Sequence, residues 1–499
     1  MTFSTLLLKK SLYFVVSLGF VATFACSKSS DLSVSDASID DATVPEPCTL
    51  TDNEDGTFTI TCGEVSVVID GSIEDLDGEP CYLVEREDGT LVIECGEQSF
   101  PAGGPPEIQF IKPSDGETVY GPVEVILNVE APAGLETVVL YIDGEMKASW
   151  DNAPFVWEWD TSEVSDGSYH LEAVVTDIWE RTDSAEVTVN FLTPVEIFNP
   201  YADVDWDVFG RHKANFHTHT TESDGNMSPA DVIDEYHSMG YDILAITDHN
   251  RVTWSWQDFG KDPEDLGMIA VQGNEPSRHH HMGSYFNDYN GEFTDLHDSL
   301  QAVADRDGLA VLFHPGRYSF DTAWYVDIYE TYDFLVGMEV YNQGDRYPND
   351  RELWDEVLAE MMPERPVWGF SNDDSHGLSH IGRNHQTLLL PELTEENVRA
   401  AMIKGEFYFS YTPTRGDPAP EIIHIEANQN EGFIAIEADG ATDVRWISGG
   451  ETILSDEYVI YVRGYNGYLR IELEGPYGTT YTQPFFVGDS DLGTVILPE

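Results

Sequence analysis

The run Lys213-Ala214-Asn215-Phe216-His217-Thr218-His219, followed by Ile243-Leu244-Ala245-Ile246-Thr247-Asp248-His249, decides the fold class of the longest part of this chain. Each is a short apolar stretch that ends in histidine. Between them Ser228-Pro229 caps and opens a helix that runs through His237 and closes at Gly240. Strand, helix, strand is the order of an α/β unit. Alternate side chains of an extended strand share a face, so His217 and His219 point to the same side and form a bidentate grip for a metal ion. Asp224 follows in the Ser223-Asp224-Gly225 turn.

The pattern continues downstream. A predicted strand over residues 268–271 leads to Glu275, one over 309–313 leads to His314-Pro315-Gly316-Arg317, and one over 367–370 leads to Asp374-Ser375-His376, a second same-side pair. A further strand is expected over 335–340, with helices over 296–304, 352–361 and 395–403. Five strand ends thus each deliver histidine or carboxylate. In a parallel α/β barrel that end is the face where active sites lie.

Taken in order, His217-Thr218-His219, Ser223-Asp224-Gly225, Thr247-Asp248-His249, Glu275, His281, His314-Pro315 and Asp374-Ser375-His376 resemble the PHP family of metallophosphoesterases, named for polymerase and histidinol phosphatase. The likeness covers about 200 residues, from 213 to 413. It implies a distorted barrel of seven β/α units, a (β/α)7 fold, holding two or three divalent ions (zinc, manganese or iron) through nine ligands. Carried over position by position, the ligands are His217, His219, Asp224, His249, Glu275, His281, His314, Asp374 and His376. Three histidines stand together at 279–281; His281 is favoured because it directly precedes the apolar stretch 282–286, with His280 as the alternative.

The chemistry explains the residue types. Clustered divalent ions lower the pKa of a shared water, clamp substrate oxygens and stabilise charge growing at an attacked phosphorus or carbonyl. Glu275 is the natural bridging carboxylate. Asp248, beside His249, is expected to hold an imidazole in one tautomer. Arg317, Arg278 and Arg383 are candidates for contacting an anionic substrate, since guanidinium matches phosphate geometry. Trp254 and Trp256 are read equally as pocket lining or as core.

The flanks set the compartment. Lys9 and Lys10 precede an uncharged apolar run over residues 11–25, the pattern of a secretory signal and too short for the roughly 20 residues of a spanning helix. Thr23-Phe24-Ala25-Cys26 resembles a bacterial lipoprotein signal, which implies a lipidated Cys26, although Phe24 stands where that pattern usually has a small residue. Residues 26–47 then read as an acidic tether. The remaining cysteines, Cys48, Cys62, Cys81 and Cys95, lie in two segments that repeat at a 33-residue period within 48–104. Each segment is expected to be a hairpin turning at Asp-Gly, at Gly56 or Gly89, with that glycine left-handed. Thirteen residues separate each pair, which sets the cysteines opposite one another around an odd-length loop and predicts the disulfides Cys48–Cys62 and Cys81–Cys95.

Residues 105–193 alternate apolar and polar positions in short runs, an antiparallel sandwich pattern. Tyr141-Ile142-Asp143-Gly144, Trp159-Asp160-Thr161 and Asp166-Gly167-Ser168-Tyr169-His170 make this stretch similar to bacterial immunoglobulin-like modules. The α/β region is assigned to 200–417, and 418–499 return to β alternation, read as a small C-terminal β sandwich. The expected architecture is multidomain: hairpin repeats, an immunoglobulin-like sandwich, the barrel and a second sandwich.

Formal charge is −68, from 24 basic and 92 acidic side chains. That excludes broad electrostatic binding of nucleic acid, which needs clustered Lys and Arg. With 41% hydrophobic and 12% aromatic residues the chain is not a disordered acidic polymer. The expectation is an exported metal-dependent hydrolase, lipid-anchored at the outer membrane or cell surface or else periplasmic, acting as a phosphoesterase on a small anionic ester. The C-terminal Tyr481-Thr482-Gln483-Pro484-Phe485 and Gly405-Glu406-Phe407-Tyr408 resemble the PHP branch that includes aryl-carbamate hydrolases, which keeps a carbamate or aryl ester as an alternative. A third reading is a surface-tethered binding protein with an idle barrel, its β modules contacting surface or matrix; the full ligand set argues against it.

Overall fold

The computed structural model describes residues 47–53, 57–70, 76, 78–86, 91–488 and 497. The signal segment, Cys26, the tether up to residue 46 and the Asp-Gly turns at Gly56 and Gly89 lie outside the described residues. The chain divides into two compact units, Met1–Gly104 and Pro105–Glu499.

In the first unit each repeat is a three-stranded antiparallel meander rather than a simple hairpin. Thr49–Asp52 pairs with Thr57–Cys62, which pairs with Val65–Asp70; Cys81–Glu85, Leu91–Cys95 and Gln98–Pro101 repeat the order. The extra strand arises because Cys62 and Val65 are register partners, so Gly63-Glu64 forms a two-residue turn, with Gly63 at φ 64° and Gly96 at φ 62° in its repeat. Cys81 lies opposite Cys95, and the disulfides are Cys48–Cys62 and Cys81–Cys95, as the spacing predicts. Phe58, Ile60, Ile93 and the cysteines form the core.

Residues 105–193 form two facing sheets. One runs Glu145–Trp150, Leu135–Ile142, Gly167–Asp177, Thr182–Phe191, Thr118–Val119; the other runs Val156–Trp159, Val123–Glu130, Glu107–Lys112. Alternate residues face inward: Val123 and Val125, Leu140 and Ile142, Leu171 and Ala173, Val187 and Val189 are buried around Trp159. Each buried Val, Leu or Ile stabilises by about 1.5–3 kcal/mol relative to exposure.

The α/β region is built on two sheets. The first places Gly210–Asn215 beside Ile243–Ala245 and then Ile269–Val271, all parallel, with Asn384–Leu390 antiparallel on the outer side. The second runs Gly273–Asn274, Met282–Tyr285, Leu309–Leu312, Leu335–Asn342, Trp368–Asn372. Helices α1 (Pro229–Ser238), α2 (Pro263–Leu266), α3 (Leu296–Ala304), α4 (Thr322–Thr331), α5 (Asp350–Met361) and α6 (Glu395–Lys404) connect them. As expected, Ser228 caps α1 by accepting the Asp231 amide, and α1 buries Val232, Ile233 and Tyr236. All eight residues of Leu335–Asn342 are buried, the mark of a central parallel strand.

Seven regular parallel units are not what forms. Among the described residues there are six α-helices, two of them (α3 and α6) outside the parallel crossovers, and Met282–Tyr285 runs antiparallel to both neighbours. The reason is length: residues 272–281 are too few for a parallel crossover, which takes about a dozen residues or more, so the chain returns antiparallel. Two isolated parallel bridges, Thr218 with Ser375 and His249 with Glu275, tie the strand ends together where the ligand candidates lie.

The C-terminal region is not a separate sandwich. Glu421–Asn428, Phe433–Asp439 and Val459–Tyr461 form one sheet, but Gly467–Glu474 and Thr479–Tyr481 continue the sheet of the α/β region by pairing onto Phe407–Tyr411. Arg470, buried on this sheet, makes a bidentate pair with Asp355 of α5 (2.7 Å to each oxygen) and a 2.6 Å contact to Glu472. No helix among the described residues is long and apolar enough to cross a membrane.

Candidate metal centre

The strand ends are stitched by main chain before any side chain meets. His219 N–H donates to the Ser375 carbonyl (2.9 Å), Thr247 N–H to the Thr218 carbonyl (2.8 Å) and Asn250 N–H to the Glu275 carbonyl (2.9 Å). Thr218 and Ser375, the middle residues of the two same-side pairs, meet through their hydroxyls. Their neighbours His217, His219, Asp374 and His376 are therefore left to face the opposite side, as alternation requires. His314 (φ 30°) and Asp374 (φ 41°) hold left-handed backbone, a strained state that persists where surrounding contacts fix it.

Glu275 is the hub. Its Oε2 lies 3.4 Å from His217 Nε2, 3.2 Å from His219 Nε2 and 2.8 Å from His249 Nδ1, and its Oε1 lies 2.6 Å from His281 Nδ1 and 3.3 Å from His314 Nε2. Asp374 Oδ1 stands 3.0 Å from His219 Nε2 and 3.3 Å from His217 Nε2. Asp224, at the open edge, approaches His249 Nε2 (3.5 Å) and His376 Nε2 (3.3 Å). The nine residues fall into four overlapping groups: His219, Asp224, His249, His376; His217, His219, Glu275; His217, His314, Asp374; and His249, Glu275, His281.

These donors fit a cation. Ligands about 2.1 Å from an ion lie about 3–3.4 Å apart in octahedral or tetrahedral geometry, and most of these distances fall in that range. His219 Nδ1 and His314 Nδ1 are buried without any hydrogen-bond partner among the described residues, and His249 Nδ1 and Glu275 Oε2, buried and 2.8 Å apart, are not aligned for a hydrogen bond to each other. Buried polar atoms are normally satisfied, so such a concentration points to something the protein part alone does not supply. The electrostatics agree. Burial alone would lower the His217 imidazole, but the charges of Asp374, Glu339 and Glu275 hold it well above its ordinary value. His219, opposed by the same burial, is lifted to about 9 by hydrogen bonds to Asp374 and Glu275. The pocket is poised to take up positive charge.

Of the tandem histidines, His281 faces Glu275. His280 is turned away: its Nε2 meets the Tyr325 hydroxyl at 3.1 Å, its ring stacks on Tyr318 at 4.1 Å, and burial pushes it down to about 3. His279 bonds Ser299 at 2.7 Å.

Asp248 does not hold an imidazole. Its carboxylate accepts the Thr220 amide and hydroxyl (2.7 Å each), the Ser223 hydroxyl and the Thr253 hydroxyl (2.6 Å each). The reason is the tight loop after His219, whose donors reach Asp248 first; the residue fixes the segment that carries Asp224. Imidazole positioning falls to Glu339, in the middle of Leu335–Asn342. Glu339 Oε1 lies 2.8 Å from His217 Nδ1 and accepts from Asn372 (3.0 Å), while Oε2 accepts the His314 amide (2.8 Å) and Asn342 (2.9 Å). A carboxylate inside a fully buried eight-residue strand marks Glu339 as unusual, although nothing local names the histidine it meets.

Arg317 and Arg278 are exposed and carry no ion pair among the described residues. Arg383 leans instead on Tyr411, with its guanidinium 5.9 Å from the ring centroid. Trp256 is core, packed with Val232 and Tyr236, whereas Trp254 is 38% exposed. A cleft of about 730 Å³ lies between α5 and the C-terminal sheet, but none of the nine ligand candidates lines it. Its Arg351 and Arg470 are paired with Asp345 and Asp355.

Residues 106–173 match the family model of the bacterial Ig domain. No curated protein matches the chain. Among solved structures, the chain is similar to a two-domain protein from Bacteroides vulgatus described as containing a PHP-like metal-dependent phosphoesterase. The identity is 17%, over 57% of this chain and 88% of that one, with a TM-score of 0.36. It is also similar to a protein from Bifidobacterium adolescentis named as a metal-dependent phosphoesterase (17% identity, 38% and 96% covered, TM-score 0.26). An amidohydrolase from Chromobacterium violaceum with bound sulfate and no metal is a further likeness (16% identity, 33% and 87% covered, TM-score 0.27). The Ig domain and the two disulfides together fit an extracellular or periplasmic setting, where disulfides persist.

Proposed function

We propose that this chain is an exported metal-dependent hydrolase, a phosphoesterase acting on a small anionic ester, with its α/β region a distorted barrel of the PHP type. The observation that carries the reading is the convergence of six histidines and three carboxylates in four overlapping groups, with five of the histidines around Glu275 and buried imidazole nitrogens left without a hydrogen-bond partner among the described residues. When bound, two or three divalent ions (zinc, manganese or iron) would lower the pKa of a water and stabilise charge growing on the attacked phosphorus. His217, His219, His281 and His314, with Glu275 and Asp374, would hold the inner ions. Asp224, His249 and His376 would hold the outer one.

The chain's own residues supply the rest. Glu339 orients His217 and tethers the His314 amide. Asp248 holds the turn that presents Asp224. Arg317 offers a free guanidinium to a phosphoryl oxygen. Lipidation of Cys26 would keep the enzyme at a membrane surface. A second reading, hydrolysis of a carbamate or aryl ester, is favoured by the Tyr318 ring beside His281 and His314.

The test is purified protein with manganese or zinc, assayed on phosphodiester, phosphomonoester and aryl-carbamate chromogenic substrates, with His217→Ala as control. Phosphoester turnover abolished by chelation and by the substitution is expected. Turnover indifferent to both would end the metallohydrolase reading, and turnover of the carbamate alone would select the second one.

A further inference from the structure

We propose that Arg346, Arg383 and His380 form a subsite on the Asp374 and His376 side of the metal centre, which receives a carboxylate of the substrate separate from the group being cleaved. The inference rests on the hydrolase reading above and adds a feature of the substrate that the metal ligands do not read. The loop after the strand Leu335–Asn342 places the first of these groups. Gln343 Nε2 donates to the Asp374 carbonyl (2.9 Å), and Gln343 Oε1 accepts from Arg346 Nη1 (3.1 Å). The Arg346 guanidinium also lies 5.2 Å from the Tyr347 ring centroid, and the Tyr347 ring lies 5.8 Å from that of His314. Arg346 is thus tied to the segments of Asp374 and His314, which share one ligand group with His217. Gly344 packs against Arg383: a Cβ there would stand 2.6 Å from the guanidinium carbon. The Asn384 side chain holds Gly344 by its amide (2.6 Å) and its carbonyl (3.0 Å), which fixes the loop.

His380 completes the set. Its Nδ1 accepts the His376 amide (3.2 Å), so the proton of the neutral ring is on Nε2, which makes no hydrogen bond among the described residues. Burial, and after it the charges of His376, Arg383 and Arg346, hold this imidazole below its ordinary value, so both guanidiniums stand near it. Most arginines between residues 200 and 417 find a carboxylate: Arg211, Arg251, Arg306, Arg351, Arg399 and Arg415 are each paired. Arg346 and Arg383 have no such pair among the described residues, in a chain of 92 acidic and 24 basic side chains. Asp345, next to Arg346, is taken by Arg351 at 2.8 Å. Arg346 is exposed and the other two are partly so, which leaves their donors open to a solute. A carboxylate is planar and singly charged; it matches the guanidinium fork and adds little to the repulsion of a chain of charge −68. None of the three residues belongs to the four ligand groups, and the His380 ring lies 6.3 Å from that of His376. An oxygen on a metal lies about 2.1 Å from it, so the group received here is not the one attacked at the ions.

The experiment is calorimetric titration of the manganese-loaded full chain with butylphosphonate and with 4-phosphonobutyrate, which share the group that meets the metals and differ in one carboxylate. On overall charge alone the more negative compound should bind less well to so acidic a chain. It is instead expected to bind roughly tenfold tighter, the usual effect of a hydrogen bond between charged groups. Arg346→Gln should bring the two to equal affinity or reverse their order, and Arg346→Lys should keep part of the preference. A wild type that binds 4-phosphonobutyrate no tighter than butylphosphonate, or a preference that Arg346→Gln leaves unchanged, would overturn the subsite. Binding of neither compound would instead overturn the metal-hydrolase reading beneath it.

Discussion

Glu339 and His217 are locked together beneath the candidate metal centre: Oε1 of the buried carboxylate lies 2.8 Å from Nδ1 of the imidazole, which leaves Nε2 turned to Glu275 and Asp374. The same carboxylate fixes the left-handed His314 through its amide. Glu339→Gln keeps the shape but removes the charge that favours a proton on Nδ1. Metal affinity is expected to fall about 10- to 100-fold, the usual cost of losing a partner behind a ligand, with the fold retained. Metal titration beside circular dichroism checks both halves.

Gly225 closes the turn that presents Asp224. A Cβ there would stand 2.6 Å from the His219 carbonyl oxygen, a backbone atom that cannot yield. Gly225→Ala should displace Asp224 and weaken the outer group by roughly tenfold or more, leaving ions held by Glu275 in place. Two-step titration curves for wild type that collapse to one step in the variant would show it.

Asp350 gives the fold a pH dependence of its own. Burial first, with the charge of Glu339 beside it, raises its carboxyl to about 8 against the lowering effect of the Gly316 amide, and its Oδ2 is buried without a partner among the described residues. The unfolded chain gives up this proton near its ordinary 3.8, so between about 4 and 8 the folded state binds the extra proton. Stability should therefore fall as pH rises through that window, by at most about 1.4 kcal/mol per pH unit from this group. Asp350→Asn, which mimics the protonated acid, should flatten the slope in thermal melts taken from pH 4.5 to 8.5.

Asp355 and Arg470 join α5 to the C-terminal sheet by a buried bidentate pair. Asp355→Ala leaves a buried guanidinium with Glu472 as its remaining carboxylate partner, and about 3–5 kcal/mol of stability should be lost. Denaturant unfolding checks this; a loss below about 1 kcal/mol would mean the two regions are not held by this pair.

Much of this was legible because the ligand candidates sit at strand ends, where an apolar run stopping at His217-Thr218-His219 or Asp374-Ser375-His376 announces both the strand and its cargo. Glu339 was not, since nothing local says that one carboxylate within Leu335–Asn342 reaches a histidine 122 positions away. Helix α4 carries weak local signal: Thr322–Thr331 is rich in aromatic and β-branched residues of low helix propensity, and its position is set by packing of Tyr325, Ile328 and Tyr329. The C-terminal sheet was misread as separate because its joint, Phe407–Tyr411 against Thr479–Tyr481, is a non-local pairing that alternation cannot reveal.

The central claim, that Glu275 anchors a multinuclear metal centre, is tested most directly by metal content. Wild-type protein and Glu275→Ala, each equilibrated with manganese or zinc and then desalted, would be measured by elemental mass spectrometry. At least two ions per chain are expected in wild type, with at least one lost from a folded Glu275→Ala variant. Fewer than one ion per chain in wild type, or equal occupancy in the two proteins, would contradict the account.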